Sequence, residues 1–119
     1  MKYMLMIYGS EELWSSLEPD AIARLTTETD ALTKELYETG ELIGAYGVDQ
    51  QANAKVVRVR DGVPAVTDGP YIETKEYLGS FMIVDCESEE RALDIAARNP
   101  ASMLQVEVRA IMHEAAPEV

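Results

Sequence analysis

Residues 66–81 run VTDGPYIETKEYLGSF, and within them Asp68, Tyr71, Glu73 and Lys75 supply two carboxylates, a phenol and an ammonium. In an extended segment Tyr71, Glu73 and Lys75 share one parity and therefore one side, a trio able to orient a polar ligand. Asp68 precedes Gly69-Pro70 at the end of a strand, where two uses compete for its carboxylate. It can accept backbone amides in an Asx-type turn, with Pro70 fixing the exit. It can also face a cleft as a general base or ligand anchor tuned by burial. In that second use Asp68 is the proton acceptor or orienting carboxylate, Glu73 or Lys75 assists, and Tyr71 donates. The structural use is the commoner one for such a turn, and Glu73, Lys75 and Glu76 also suit a solvated loop.

Other groups extend the candidate list. Arg58 and Arg60 share one face of an alternating segment, and Arg109 lies in another beside Val106 and Val108. Each offers a forked donor to a ligand carboxylate, although in an acidic chain its own Asp and Glu are the commoner partners. Tyr8, Tyr46 and Trp14 can line a cavity near strand ends, with apolar area and a polar tip; ordinary core and interface roles suit them equally. One His and one Cys, with no Asp-x-Asp loop and no HExxH, give no metal spacing. No phosphate-cradling glycine loop is present either, so no cofactor is expected. Cys86 follows Ile83 and Val84 and is expected to be a small buried thiol rather than a nucleophile.

The elements that must position these groups follow from pattern. Tyr3 to Tyr8 is an apolar run closed by Gly9-Ser10, which suits a central strand. Pro19 opens a helix whose Ile22, Leu25, Leu32 and Leu36 fall on one stripe and which Gly40 ends. Thr29 falls on the same stripe as a core-edge hydroxyl. Leu42 to Val48 makes a strand in which Gly44 and Gly47 mark a bulge or a close backbone approach. The segment VVRVR, the turn Asp61-Gly62 and Val63 to Thr67 form a hairpin, with Pro64 marking an edge. Tyr77 to Asp85 is a strand, SEERALDIAAR a helix capped by Ser88, and Gln105 to Met112 the final strand.

This order predicts an α+β fold, a ferredoxin-like βαββαβ sandwich with an inserted β-hairpin. One sheet with two helices on one face leaves an apolar face to cover, and a second copy covers it as a dimeric α+β barrel. The 119 residues, 47% hydrophobic, have the length of a single domain spanning 1–119. Twenty-two acids against ten Lys and Arg give a formal charge of −12, which disfavours nucleic acid and anionic membrane as partners. The N-terminal apolar run is too short for a signal segment or a membrane span, so a cytoplasmic location is expected.

The segments MKYMLMIYG, VRVRDGVPAVTDGPYIETKEYLGSFMIVD and VEVRAIM resemble the YCII-related superfamily, in its branch named for an Asp-Gly-Pro-Phe motif. Here the motif is Asp68-Gly69-Pro70-Tyr71. The resemblance implies a ferredoxin-like subunit, a homodimeric barrel and a small-ligand cleft beside the motif loop. Some members of that family look like acid–base enzymes using a histidine and an aspartate. Others are tied by gene context to extracytoplasmic-function sigma factors, which implies an interaction or sensing module as the rival role. The single histidine, His113, falls just past the last strand, away from any position that such a dyad needs.

Overall fold

The computed structural model describes residues 1–103 and 105–117. Strands β1 (Lys2–Gly9), β2 (Leu42–Gly47), β5 (Tyr77–Asp85) and β6 (Gln105–Ala110) form one antiparallel sheet in the order β2-β5-β1-β6. Strands β3 (Lys55–Arg60) and β4 (Val63–Asp68) form a separate two-stranded sheet. Helices are α1 (Glu11–Ser16), α2 (Pro19–Glu38) and α3 (Glu89–Arg98), with short 3₁₀ turns at Gln51–Asn53 and Pro100–Met103. This mixed α+β arrangement is compatible with the ferredoxin-like pattern that the sequence predicts. None of the described helices is long and apolar enough to cross a membrane.

The apolar run of β1 is central because both its faces are used. Tyr3, Leu5 and Ile7 join Leu42, Met82 and Val84 in a core closed by Leu32 and Leu36 of α2 and by Ala92, Ile95 and Ala96 of α3. Strand alternation sends Met4, Met6, Phe81 and Ile83 to the opposite face, which no described element covers.

Local rules account for the boundaries. Gly40 takes φ +80, its N–H donates to Tyr37 O, and Glu41 N–H donates to Leu36 O, a paired closure that needs a left-handed residue. Asp61 and Gly62 both have positive φ, the geometry of a tight two-residue hairpin. Ser88 caps α3 by accepting from Arg91 N–H at 3.1 Å. The sequence pattern misses α1, a six-residue helix capped by Ser10, whose hydroxyl accepts from Leu13 N–H. It also runs the last strand two residues too far, since β6 ends at Ala110.

Candidate functional site

The first half of α2 does not sit down on the sheet. Only Leu32 and Leu36 of its stripe are buried, while Leu25 is half-buried and Ile22 is exposed. Where a continuous leucine seam would fill the gap, the helix carries Thr26, Thr29 and Thr33. A groove of about 560 Å³ opens between this half of α2 and strands β2 and β5. Ile7, Leu25, Phe81 and Met82 give it apolar walls, and Thr29, Thr33, Ser80 and Asp30 add polar groups. Tyr46 packs on Phe81 with ring centroids 5.1 Å apart. The Tyr46 ring lies over Gly44, where any side chain would meet its hydroxyl at 2.2 Å, so this glycine is the close approach that the sequence suggests. Trp14 closes one end by lying against Gly9, whose ideal Cβ would fall 2.6 Å from the indole nitrogen.

The groove's chemistry follows from its lining. Thr26 and Thr33 donate back along the helix to Ile22 O at 3.0 Å and Thr29 O at 2.6 Å, leaving their oxygens as acceptors toward the groove. Asp30 is the one ionisable carboxylate in the lining, and no Lys or Arg stands with it. The buried Asn99 closes the far end, its amide donating to Met82 Sδ at 3.5 Å. Such a site holds an apolar body with one hydrogen-bonding or cationic group, and repels an anion. Sequence reasoning places Tyr46, Trp14 and Thr29 in the right elements, but a helix lifting off its sheet leaves no mark beyond threonines on an otherwise apolar stripe.

A second cavity of about 600 Å³ lies beside the Asp-Gly-Pro turn, lined by Tyr8, Lys55, Leu78 and the alternate loop residues Pro70, Ile72, Thr74 and Glu76. The parity argument holds and the side is reversed: with the even positions lining the cleft, Tyr71, Glu73 and Lys75 are absent from its walls. Tyr71 lies under Arg58, whose guanidinium carbon is 5.7 Å from the ring centroid. Lys75 Nζ stands 3.4 Å from Glu12 Oε2. Asp68 faces neither a cavity nor its own backbone. Its side chain is 86% exposed and meets Lys55 Nζ at 2.5 Å across the base of the hairpin. The turn is held instead by Gly69 N–H donating to Ala54 O at 2.7 Å and by Gln51 Nε2 donating to Thr74 O at 2.8 Å; the Gly69-Pro70 bond is cis.

The remaining candidates scatter. Tyr8 donates to Glu107 Oε2 at 3.2 Å, and burial together with that carboxylate pushes its phenol above the ordinary value, so it stays protonated near neutrality. Arg109 pairs in register with Met4 on the uncovered sheet face. The expected ion pairs do not form: among the described residues Arg58, Arg60 and Arg109 have no carboxylate within 4.0 Å. His113 lies three residues past β6, exposed. Cys86 is buried, its Sγ–H donating to Ser88 O at 3.4 Å, and desolvation raises its pKa, which keeps it an inert thiol. The strongest charge pair is structural: Arg91 grips both oxygens of Glu41 at 2.8 Å and holds that carboxyl at about 2. Among the described residues no group of three His, Cys, Asp or Glu is placed to hold a metal ion.

An antiparallel sheet backed on one face by helices, with a hairpin inserted before an Asp-Gly-Pro turn and clefts at the strand ends, defines a small α+β protein built around pockets rather than a metal centre or a nucleotide loop. The chain belongs to the YCII-related domain family, whose pattern it matches over residues 1–115. It is also 31% identical over 96 residues to an uncharacterized protein of Rhizobium meliloti (strain 1021), a match covering 81% of this chain and 77% of that one.

Proposed function

We propose that this chain, a member of the Asp-Gly-Pro-Phe branch of its family, is a homodimeric protein that binds a small organic molecule in the groove between α2 and the sheet. The observation that carries the reading is the groove itself: about 560 Å³, mostly apolar walls, and hydroxyls and one carboxylate converging on it. That volume lies within the range of small-molecule sites, roughly 300–1,000 Å³. The ligand class is an uncharged or cationic molecule with an apolar body, since Asp30 is the charge in the lining and the chain as a whole carries −12. Cofactor-free acid–base chemistry by Asp68, Glu73 and Lys75 is a further step of this proposal and needs those side chains to meet a ligand held by the motif-side cleft or by a second copy. A cytoplasmic location and a ferredoxin-like barrel dimer, formed through the face of Met4, Met6, Phe81 and Ile83, belong to the same reading.

A thermal-shift screen of neutral and cationic organic compounds tests it, with Thr29→Leu as the control. Leucine restores the apolar seam and fills the groove, so a compound that stabilises the wild type should bind Thr29→Leu at least ~10-fold more weakly, while the variant itself melts no lower. Hits that bind Thr29→Leu as well as wild type place the ligand elsewhere and end the groove reading.

A further inference from the structure

The hairpin β3–β4 stands away from the body of the protein. Outside its own ladder, no hydrogen bond or ion pair joins residues 56–67 to any other described part of the chain. Directly paired residues share a face, so Val57 with Val66 and Val59 with Pro64 make one wholly apolar surface. The three valines are 61–65% exposed. A lone two-stranded hairpin is marginal in water, and four apolar side chains open to solvent add to its cost. The radius of gyration, 16.7 Å, records the projection; a compact chain of this length has about 13.5 Å.

We propose that β3–β4 is an arm that lies across the groove of a second copy of this chain, so that two copies close each other's sites. Charge selects that partner. Lys55, Arg58 and Arg60 put three of the ten cations into one strand, with Asp61 the only acid in the hairpin before Asp68, on a chain of net −12. The arm is a cationic segment on an acidic body, and the surface it fits is an acidic one with apolar side chains at its centre. The groove mouth has that composition. Trp14, Ile22, Tyr46 and Val48 are exposed around the groove and the pocket adjoining it, and Glu11, Asp30 and Asp49 line them. A nucleic acid would satisfy the same cations, but the acidic body at the root of the arm repels it.

Geometry and area are sufficient. Six residues of strand reach about 20 Å. Each arm face and the surface under it would together lose on the order of 800 Å², so a reciprocal pair buries roughly 1,600 Å², the size of a stable protein interface. Two identical arms on two identical grooves make a closed two-fold contact, which does not propagate into fibres. The inference deepens the groove reading by supplying the fourth wall of that site, but the contact itself requires no ligand, so the two proposals fail separately.

Cross-linking between singly substituted proteins tests the contact directly. Val59→Cys is mixed with Ile22→Cys and treated with a short bis-maleimide; both positions are exposed, and native Cys86 is buried. The expected result is a covalent dimer formed at least tenfold more than in a mixture of Val59→Cys with Leu93→Cys, which lies exposed on α3. Equal yields overturn the proposal, as does cross-linking of Val59→Cys to Ile83→Cys on the uncovered sheet face instead. In sedimentation, the double change Arg58→Glu and Arg60→Glu should raise the dimer dissociation constant at least tenfold. Mixing it with Glu11→Lys, Asp49→Lys protein should restore association. An unaltered dimer in the reversed-charge variant, or a wild type that stays monomeric at ~50 μM, also overturns it.

Discussion

Asp68 and Glu41 show how differently two carboxylates of one chain are used. Asp68 meets Lys55 in the open, and exposed pairs of that kind contribute at most about 1 kcal/mol. Asp68→Asn should therefore lower stability by less than ~1 kcal/mol in a urea melt and leave groove binding intact; a selective loss of a ligand's turnover would instead support the acid–base proposal. Glu41 is far less open, with its side chain 18% exposed, accepting two bonds from Arg91 and one from Thr39. Its folded value of about 2 lies below the ordinary 4.5, so its contribution is complete above pH 4.5 and is lost as pH falls through 2. After allowance for solvent screening, Glu41→Gln should cost on the order of 1–3 kcal/mol at neutral pH. The difference between variant and wild type should shrink steadily between pH 4.5 and 2 in denaturant titrations. A difference that grows on acidification would contradict the pairing.

At the scale of elements, boundaries set by backbone chemistry were legible in the sequence. Gly40 ends α2 because only a left-handed residue closes that paired turn, and Gly40→Ala should cost about 1–2 kcal/mol by thermal denaturation without altering the groove. The Asp61-Gly62 turn and the Ser88 cap follow in the same way from residues whose conformational preferences are local. Helix α1 was not legible, since six residues with no buried member leave no periodic stripe. The groove was hidden for a related reason. Ile22 and Leu25 have the spacing of core residues, and periodicity says which face of a helix is apolar, not how closely that face approaches its sheet. The loop of Tyr71, Glu73 and Lys75 shows the same limit in another form: alternation fixed that they share a side, but only the positions of Pro70, Ile72 and Thr74 on the cleft fixed which side.

For the whole molecule, the arm and the groove convert an acidic chain with a projecting hairpin into a proposed closed pair. Attraction between the cationic strand and an acidic rim is screened by salt, so the dimer dissociation constant measured by sedimentation should rise at least severalfold between 0.05 and 0.5 M NaCl. An interface held only by the uncovered sheet face, with Met4, Met6, Phe81 and Ile83, should hold or tighten over that range. The claim on which the functional account turns is that the ligand site lies under α2 rather than beside the Asp-Gly-Pro turn. Amide chemical-shift mapping of the labelled protein with the best compound from the thermal-shift screen decides it. The account predicts the largest perturbations at Thr29, Thr33, Ala45, Ser80 and Phe81, which line the groove. Perturbations centred on Ile72, Thr74 and Glu76, with the groove amides unmoved, would contradict it and move the site to the motif-side cleft.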